Sequence, residues 1–486
     1  MKNLKNGEKL KPQLLWKNFD MILGIPHPSN YSGMLADVIY GFGKNLGLET
    51  IKDGGGNIVI RKPASSPEMA KKEMVTLQAH IDMVPQKAEG KIHDFTKDAI
   101  MAYVDGAFVK ADGTTLGADN AIGAAAIMAV IESKDIEHGQ LEAFFTVDEE
   151  NGMNGVNYLK NDLLKGKYLI NTDSEEDGEI FIGCAGGVNV EATFEYKKTE
   201  IPQNHNSYRI TVSGLKGGHS GINIHEGRGN SIKIIARLLS STQNEMDFYI
   251  SEFNGGTLRN VIPSKAEVVL LVKKEDDKKF RDIVSDFSVT IKKEYKFSAP
   301  HLLITMNEEA IPSYVLNKEA GYKIISALNC CSNEVFRMDD NLHIVQTSSN
   351  LGVINTTDST IEIKCLARSL VDSARDYAGN IVGTAFKLAG AKVVYSGAYP
   401  GWIPNVSSIL LQVTKDSYKE LFNKEPKVTA MHAGLECGLI TAKYPKMDMI
   451  SFGPTIKDAH SVNEQVNIKS VKNFFELLCE VLKNIR

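Results

Sequence analysis

The chain has 486 residues, of which 43% are hydrophobic and 24% charged, and its net charge is -5 at pH 7. A chain of this length can bury a large core and form more than one structural unit. The small net charge, without a basic stripe or an acidic tail, argues against nucleic-acid partners and favours a small substrate. No apolar run approaches the roughly 18 residues that a membrane span requires. We therefore expect a cytoplasmic protein with neither nucleic-acid nor membrane partners.

The first part of the chain, up to about residue 186, alternates strand-like apolar runs with a helical one. Strands are predicted at 74–79, 141–147 and 168–171, and a helix is predicted at 121–133. This alternation is typical of an α/β layer with a mostly buried sheet.

The pattern changes in the middle of the chain, where strand candidates such as 207–212 alternate polar and apolar residues. That alternation suits an antiparallel sheet covered on one face. A series of helix, two strands, helix and strand occurs twice in this region. The helices of the two copies are expected at 230–241, 278–295, 318–328 and 376–388. We interpret the repeat as two ferredoxin-like units side by side, at about 187–310 and 311–399.

The α/β pattern returns near the end of the chain and closes with an amphipathic helix over 470–484. A histidine that could bind metal, His460, lies in this last part. We therefore predict one discontinuous domain made of 1–186 and 400–486, interrupted by an inserted α+β domain at 187–399.

Candidate metal ligands follow the predicted strands of the first part. In QAHIDMVP, His80 and Asp82 close the first strand and point to the same face, because side chains alternate along a strand. The carboxylate can hold one ring nitrogen of the histidine while the other nitrogen binds a metal ion. A surface pair at a strand end is the competing interpretation of so short a pattern.

Further acidic residues lie next to the ends of the predicted helix and strands. Asp119 lies in the TLGADN loop just before the helix at 121–133, where a carboxylate either caps a helix or bridges metal ions. Glu149 and Glu150 follow the strand at 141–147. Neighbours on a strand point to opposite sides, so one can bind metal while the other faces the substrate as a general base.

Asp173 and His460 complete the set. Asp173 follows the strand at 168–171 in NTDSEEDGE, and a calcium loop is rejected because Cys184 stands where its final bidentate acid is needed. His460 lies in a loop with Gly and Pro after a short apolar run. Ligands collect at the carboxyl ends of strands in an α/β sheet, so the whole set predicts a two-metal hydrolase.

Several segments carry a family resemblance when they are considered jointly. They are QAHIDMVPQK, TLGADNAIG, TVDEENGM, NTDSEEDGE, GGHSG, MHAGLECG and the loop of His460. They resemble the superfamily of co-catalytic zinc aminopeptidases, carboxypeptidases and aminoacylases, and within it the aminoacyl-histidine dipeptidase (peptidase D, beta-alanyl-histidine dipeptidase) family. The resemblance covers essentially the whole chain. It implies a zinc-aminopeptidase-like α/β catalytic domain with a central, mostly parallel sheet, and a lid or dimerisation-type domain made of the two ferredoxin-like units.

The resemblance also implies a role for each candidate residue. The expected metal ligands are His80 and Asp173 for one ion, Glu150 and His460 for the other, and Asp119 as a bridge between them. Asp82 would orient His80, and Glu149 would be the general base. The peptide bond after Asp119 is expected to be cis. Both ions are expected to be zinc, with manganese and cobalt as alternatives for His and carboxylate ligands.

Residues of the inserted domain are expected to complete the site. His219 in KGGHSG is expected to donate to the oxyanion, and Arg368 with Asn260 to bind the free carboxylate of the substrate. His432 and Glu436 in MHAGLECG are expected to shape the pocket for the substrate's amino terminus, with structural support of the site wall as the alternative. The inserted domain would then close over the substrate as a lid.

The sequence therefore predicts a cytosolic metallo-dipeptidase that cleaves unblocked dipeptides, including Xaa-His such as beta-Ala-His, with a water activated by Glu149. The alternatives are an aminotripeptidase or an N-acyl amino acid deacylase of the same superfamily, and a catalytically inactive binding homologue. The expected partner is a small peptide substrate. A homodimer stays open as well, because a sheet edge of the lid could pair between two chains.

Overall fold

The computed structural model describes the whole chain, residues 1–486. Two compact units are present: unit 1 is formed by Met1–Cys184, Trp402–Ala430 and Leu435–Arg486, and unit 2 by Ala185–Gly401 and Met431–Gly434. This division differs from the predicted one because the short stretch Met431–Gly434 belongs to unit 2 and takes His432 with it. No helix in the structure combines the length and the apolar character that crossing a membrane would require.

The first segment of unit 1 contains strands and helices in alternation. Its strands are β1 (Leu4–Lys5), β2 (Glu49–Lys52), β3 (Ile58–Lys62), β4 (Val75–His80), β5 (Ala102–Asp105), β6 (Phe108–Ala111), β7 (Leu141–Thr146), β8 (Tyr168–Asn171) and β9 (Glu179–Cys184). Its helices are α1 (Gln13–Leu23), α2 (Gly33–Asn45), α3 (Ala118–Glu132) and α4 (Asn154–Asn157).

Unit 2 is richer in strands. They are β10 (Gly186–Glu195), β11 (Lys198–Thr199), β12 (His205–Ser213), β13 (Gly218–His219), β14 (Phe248–Gly255), β15 (Val261–Ile262), β16 (Ala266–Lys273), β17 (Leu303–Glu308), β18 (Val315–Leu316), β19 (Val335–Met338), β20 (Val345–Thr356), β21 (Thr360–Ser369) and β22 (Lys392–Tyr399). The helices are α5 (Ser231–Gln243), α6 (Asp277–Glu294), α7 (Lys318–Cys330) and α8 (Asp372–Leu388).

The last part of the chain adds further elements to unit 1. The strands are β23 (Lys427–Met431), whose last residue is assigned to unit 2, β24 (Asp448–Ser451), β25 (Ile456–Lys457) and β26 (Gln465–Asn467). The helices are α9 (Ile409–Phe422), α10 (Glu436–Lys443) and α11 (Ile468–Asn484).

The main sheet of unit 1 has eight strands in the order β2-β3-β7-β4-β8-β24-β9-β23. Its centre is parallel, because β4 pairs in parallel with β7 and β8, and β24 pairs in parallel with β8. Every residue of β4, β7 and β8 is buried, which is typical of parallel strands covered on both faces. The prediction of an α/β domain with a central, mostly parallel sheet is confirmed.

The Ala-rich helix α3 begins at Ala118, slightly before the predicted start. Asp119 and Asn120 have non-helical backbone angles, so the regular helix starts only after them. From Ala121 to Ile131 every residue is buried, and most of these side chains are small or aliphatic. The packed body of α3 thus presents Asp119 at a kink in its first turn.

A second, five-stranded sheet of unit 1 has the order β1-β5-β6-β26-β25. Strands β25 and β26 form an antiparallel hairpin, and β26 also pairs with β6. His460 lies in the loop of this hairpin rather than at the end of a strand of the main sheet.

Unit 2 is built on a nine-stranded sheet with the path β17-β12-β16-β14-β20-β21-β10-β22, and β19 pairs with β20. One half contains β12, α5, β14, β16, α6 and β17 in chain order, and the other contains β10, α7, β20, β21, α8 and β22. Each half has the β-α-β-β-α-β order of a ferredoxin-like unit.

The two halves are not consecutive in sequence. Strand β10 pairs with β21 and β22 of the second half, although it precedes the entire first half in the chain. The predicted division at 187–310 and 311–399 is therefore wrong for this strand, because the first half is inserted into the second. The alternation of polar and apolar residues predicts a strand but does not say which strand it pairs with.

Candidate metal centre

The ligand candidates of unit 1 converge on one edge of its main sheet. His80 is the last residue of β4, and Asp173 closely follows β8. Glu149 and Glu150 follow β7 in the same way. Because these three strands are parallel, their carboxyl ends lie at the same edge. Asp119 reaches this edge from the first turn of α3.

Two imidazoles share the carboxylate of Asp119. His80 Nε2 lies 3.1 Å from Asp119 Oδ1 and 3.2 Å from Asp173 Oδ1. His460 Nε2 lies 3.0 Å from Asp119 Oδ2 and 2.8 Å from Glu150 Oε1. Each oxygen of Asp119 thus faces the Nε2 atom of a different histidine, and each of these Nε2 atoms has one further carboxylate beside it. This is the donor arrangement expected for two ions bridged by one carboxylate.

The donor atoms fit divalent metal ions. Ligand atoms of His80, Asp119 and Glu150 all lie within 4.8 Å of one another. Glu150 Oε1 is buried and makes no hydrogen bond, although it lies 2.8 Å from His460 Nε2. A buried carboxylate oxygen without a hydrogen bond is costly unless a cation compensates it. Imidazole nitrogens and carboxylate oxygens are ligands of zinc and of other divalent transition metals.

Asp82 orients His80 mainly through its backbone. His80 Nδ1 lies 3.0 Å from the main-chain carbonyl oxygen of Asp82 and 3.6 Å from the carboxylate oxygen Oδ1. Since a carbonyl oxygen only accepts, Nδ1 carries a proton, and Nε2 would be the nitrogen that binds a metal ion. The predicted orienting role is therefore assigned to a different group of the same residue.

The Asp82 carboxylate instead holds the segment that carries both glutamates. It accepts hydrogen bonds from the N–H groups of Glu149 at 2.9 Å and Glu150 at 3.2 Å, and from Ser29 Oγ at 2.9 Å. Burial disfavours its charge, but His80 and the hydrogen bonds from Glu149 and Ser29 lower the pKa of Asp82 below its ordinary value. Asp82 thereby holds the backbone of a candidate ligand, Glu150, and of the candidate base, Glu149.

Glu149 is not one of the carboxylates paired with His80 or His460, which are Asp173 and Glu150 besides Asp119. Its surroundings favour proton transfer. Burial, with the negative charges of Asp173 and Glu150, raises the pKa of Glu149 well above its ordinary value. Bound cations would act in the opposite direction. A carboxyl group under both influences suits the uptake and return of a proton near neutral pH.

Glu436 lies in the interior beneath the metal centre, not in a substrate pocket. It is 0% exposed, and its Oε2 accepts hydrogen bonds from Gln78 Nε2 and Thr146 Oγ1, both at 2.6 Å. Burial raises the pKa of Glu436 to about 8. Its burial favours the alternative of structural support over a substrate contact, because the carboxyl group of Glu436 bonds to β4 and β7, the strands that lead to His80 and the glutamates.

Side chains that sequence reasoning missed complete this support. Gln78 accepts a hydrogen bond from Asn171, whose own Oδ1 accepts one from the N–H of Asp173 at 3.1 Å. Asn120 Nδ2 donates to Asp173 Oδ1 at 3.0 Å, and the peptide bond before it is cis, as expected. Strand periodicity could have indicated Gln78 and Asn171, since each stands two residues before a predicted ligand. No local pattern marks Ser29.

In unit 2, His219 is held as a neutral hydrogen-bond donor. Its Nδ1 accepts hydrogen bonds from the N–H groups of Gly221 at 3.2 Å and Ile222 at 3.1 Å. The neutral ring must then carry its proton on Nε2. Burial and the positive charge of Arg368 lower the pKa of His219 to about 4, so the ring is neutral at physiological pH. A fixed, neutral donor of this kind suits the stabilisation of an oxyanion.

Arg368 is a buried cation among neutral partners. It is 5% exposed. Its Nη1 donates to Tyr399 Oη at 2.8 Å, and its Nε has no partner. Its Nη2 lies 3.4 Å from His219 Nε2, where two N–H groups face each other, so this contact is not a hydrogen bond. A buried guanidinium without a carboxylate beside it is costly. Its free donor capacity suits an anionic ligand.

Asn260 and His432 lie beside the same cluster. The carbonyl oxygen of Asn260 accepts a hydrogen bond from the N–H of Ser220 at 2.9 Å. His432 Nε2 lies 2.7 Å from the hydroxyl of Ser348, a residue that pairs with Arg368 across β20 and β21. Burial, with the charge of Arg368, lowers the pKa of His432 to about 3. Unit 2 therefore brings together the predicted residues His219, Asn260, Arg368 and His432.

Comparison with known proteins agrees with the chemistry of this site. The family model of peptidase family M20/M25/M40 matches residues 76–484. The chain belongs to peptidase family M20/M25/M40. The matched range includes every ligand candidate of this M20 peptidase, from His80 to His460.

Two proteins that are more than 40% identical to this M20 peptidase over nearly its whole length carry dipeptidase names. The cytosol non-specific dipeptidase of Escherichia coli (strain K12) is 44% identical over 478 residues, which are 98% of each chain. The crystal structure of aminoacylhistidine dipeptidase from Vibrio alginolyticus has 43% identity and a TM-score of 0.90, covering 99% of this chain and 98% of that one. Aminopeptidase PepT from Bacillus cereus, with 17% identity and a TM-score of 0.57 over 98% of this chain and 99% of its own, shares the fold.

Proposed function

We propose that this M20 peptidase is a cytosolic metallo-dipeptidase that hydrolyses unblocked dipeptides, including Xaa-His such as beta-Ala-His. The observation that carries the proposal is the Asp119 carboxylate shared between His80 and His460. It occurs in a chain 44% identical, over 98% of its length, to a protein named cytosol non-specific dipeptidase. The complete ligand set and the intact Glu149 argue for an active enzyme.

The proposed cofactor is a pair of divalent ions, with zinc as the first choice for these nitrogen and oxygen donors. His80 and Asp173 would hold one ion, His460 and Glu150 the other, and Asp119 both. Ions bound there would lower the pKa of a nearby water and polarise the scissile carbonyl group.

Glu149 is proposed to move the proton of the reaction. It would accept a proton from the water that attacks the scissile carbonyl carbon and deliver it to the leaving amine. Its pKa, raised by burial, supports this assignment. The hydrogen bond from its own N–H to the Asp82 carboxylate, at 2.9 Å, fixes the start of its side chain.

Unit 2 is proposed to supply the remaining contacts to the substrate. The neutral Nε2–H of His219 would donate to the oxyanion that forms at the scissile carbonyl. Arg368 would bind the free carboxylate of the dipeptide, with Asn260 as a further amide donor. The buried position of Arg368 among neutral groups supports this role.

A substrate panel tests the proposed function. The purified protein with zinc is expected to hydrolyse Ala-His and beta-Ala-His, and to cleave alanyl-histidine amide, a tripeptide and an N-acetyl amino acid far more slowly. Dialysis against a chelator is expected to abolish cleavage, and added zinc to restore it. Preferential cleavage of the tripeptide or the N-acetyl amino acid would instead identify an aminotripeptidase or a deacylase.

The neutrality of His219 gives a prediction about pH. In Arg368→Met, we expect the pKa of His219 to rise from about 4 towards the roughly 6.5 of an unperturbed histidine, because a nearby positive charge is removed. NMR titration of protein labelled with ¹⁵N-histidine measures this value, and His219→Gln assigns the signal. The charge-matched control is Arg337→Met, because Arg337 is exposed and pairs with Asp340 at 3.6 Å.

The lowered pKa of His219 also sets the sign of its contribution to the pH dependence of folding stability. An unfolded histidine binds its proton at about pH 6.5, whereas folded His219 does so only at about pH 4. Between these two pH values the unfolded state therefore binds more protons than the folded state. The contribution of His219 thus lowers the free energy of unfolding as the pH falls from about 6.5 to about 4. An unchanged His219 pKa in Arg368→Met would contradict the assigned electrostatic cause.

A further inference from the structure

Glu464 is a buried acidic residue that lies close to the acidic residues of the candidate metal centre. It is 3% exposed. Its Oε2 accepts hydrogen bonds from the N–H groups of Leu116 at 2.8 Å and Gly117 at 3.0 Å. Its Oε1 accepts one from the N–H of Ala118 at 2.7 Å and a longer one from Asp119 at 3.4 Å. One carboxylate thus gathers consecutive amides of the loop that ends at the bridging aspartate.

The backbone of this loop is shaped to receive a carboxylate. Gly117 has φ +69°, in the left-handed region, which turns successive N–H groups towards one point and forms an anion-binding nest. A Cβ atom at Gly117 would lie 2.9 Å from Met83 Sδ, so a side chain would also be too close to a neighbour. The nest lies at the start of α3, where the helix dipole further favours a negative charge.

Glu464 itself belongs to the loop that carries His460. Asp458 and His460 both have positive φ, at +52° and +62°. The side chain of His460 is 48% exposed. An exposed loop with left-handed backbone at non-glycine residues needs support from its surroundings. Glu464 ends this loop next to β26, whose register is set by β25 and β6, and its buried carboxylate anchors the loop.

We propose that Glu464 is a positioning residue that sets the separation between His460 and the Asp119 carboxylate. It connects two loops that are far apart in the chain, since Glu464 and Leu116 are separated by 348 positions. Its carboxylate bonds to backbone amides and so acts through the backbone of Asp119 and the loop of His460. The inference rests on the proposed two-ion centre and adds a residue that the ligand set does not contain.

Glu464→Gln is the sharpest test, because it keeps the size of the side chain. An amide has one acceptor oxygen, and its NH₂ group would face N–H donors of the nest, so part of the hydrogen-bond set is lost. We expect zinc affinity, measured by competition with a chromogenic chelator, to fall by about 10–100-fold. We expect kcat to fall with little change in KM. Glu464→Asp, which keeps the charge on a shorter side chain, should recover less than full affinity.

A readout on the metal-free protein accompanies the affinity measurement. Hydrogen exchange of a peptide spanning 114–122 should be faster in Glu464→Gln than in the wild type, because amides of the nest lose their acceptor. The matched control is Asp20→Asn, since Asp20 also accepts from consecutive backbone N–H groups, those of Lys2, Asn3 and Leu4. Asp20→Asn should lower thermal stability without changing zinc affinity.

The outcomes separate this proposal from the proposed function. Wild-type protein that binds no zinc and cleaves no dipeptide would overturn the two-ion centre itself. Wild-type zinc binding and turnover, with Glu464→Gln matching the wild type in zinc affinity and kcat, would overturn the positioning role while the function stands. A loss of thermal stability alone, as in Asp20→Asn, would overturn it as well.

Discussion

Glu149→Gln is expected to lower kcat by about 10²–10⁴-fold while the protein keeps its bound metal. The glutamine has the same shape but cannot accept the proton of the attacking water. Glu149 belongs to neither imidazole pair, whereas Glu150 Oε1 lies 2.8 Å from His460 Nε2. Steady-state kinetics on Ala-His, with metal content determined by mass spectrometry on the same samples, measures both quantities.

The neighbouring glutamate supplies the matched control. Glu150→Gln removes a charge of the same kind at the adjacent position, and the N–H groups of both residues bond to the Asp82 carboxylate. We expect Glu150→Gln to lose metal, and to lose activity as a consequence that excess zinc partly reverses. Turnover near the wild-type rate in Glu149→Gln, or loss of its metal, would contradict the role of Glu149 as general base.

Asp119→Asn is expected to release both ions, the largest effect on metal binding of any single ligand change. Asp119 Oδ1 faces His80 and Asp119 Oδ2 faces His460, so one substitution weakens both positions. The negative charge also reduces the repulsion between two cations that share a site. Metal content after gel filtration in metal-free buffer should fall towards zero, whereas changes at His80 or His460 should remove mainly one ion.

The control for this prediction is an aspartate of unit 1 outside the site. Asp112 is exposed and pairs with Lys91 at 3.0 Å, so Asp112→Asn removes the same charge from the surface. It should keep wild-type metal content and activity. If Asp119→Asn retained a full metal complement, Asp119 would not be the bridge and the two-ion assignment would fail.

Sequence periodicity predicted the main sheet of unit 1 because its signals are local. The run at 168–171 coincides with β8, and the run at 141–147 with β7 to within one residue. Apolar runs of this length, bounded by loops and covered on both faces, are characteristic of central parallel strands. The order of strands in unit 2 had no such signal, since β10 pairs with strands that follow it by more than a hundred residues.

The convergence of the candidate ligands could be predicted for a related reason. Parallel strands place their carboxyl ends at one edge, so His80, Glu150 and Asp173 had to lie close together once the sheet was predicted. His460 was predicted as well, although its loop belongs to the β25–β26 hairpin instead of the main sheet. Its combination with the other candidate ligands assigned it to the metal centre, and the motif resemblance then gave it a partner, Glu150.

Local patterns in the sequence thus indicated which side chains could hold metal and which strands deliver them, whereas the choice of Glu149 over Glu150 as the candidate base came from the family resemblance. How these groups are supported is visible only in the folded chain. It showed that Asp82 orients His80 through a carbonyl oxygen, that Glu436 is buried, and that Glu464 binds the amides before Asp119. These supports are hydrogen bonds between segments far apart in the chain. Their partners depend on how the elements pack, which no local pattern of residue types specifies.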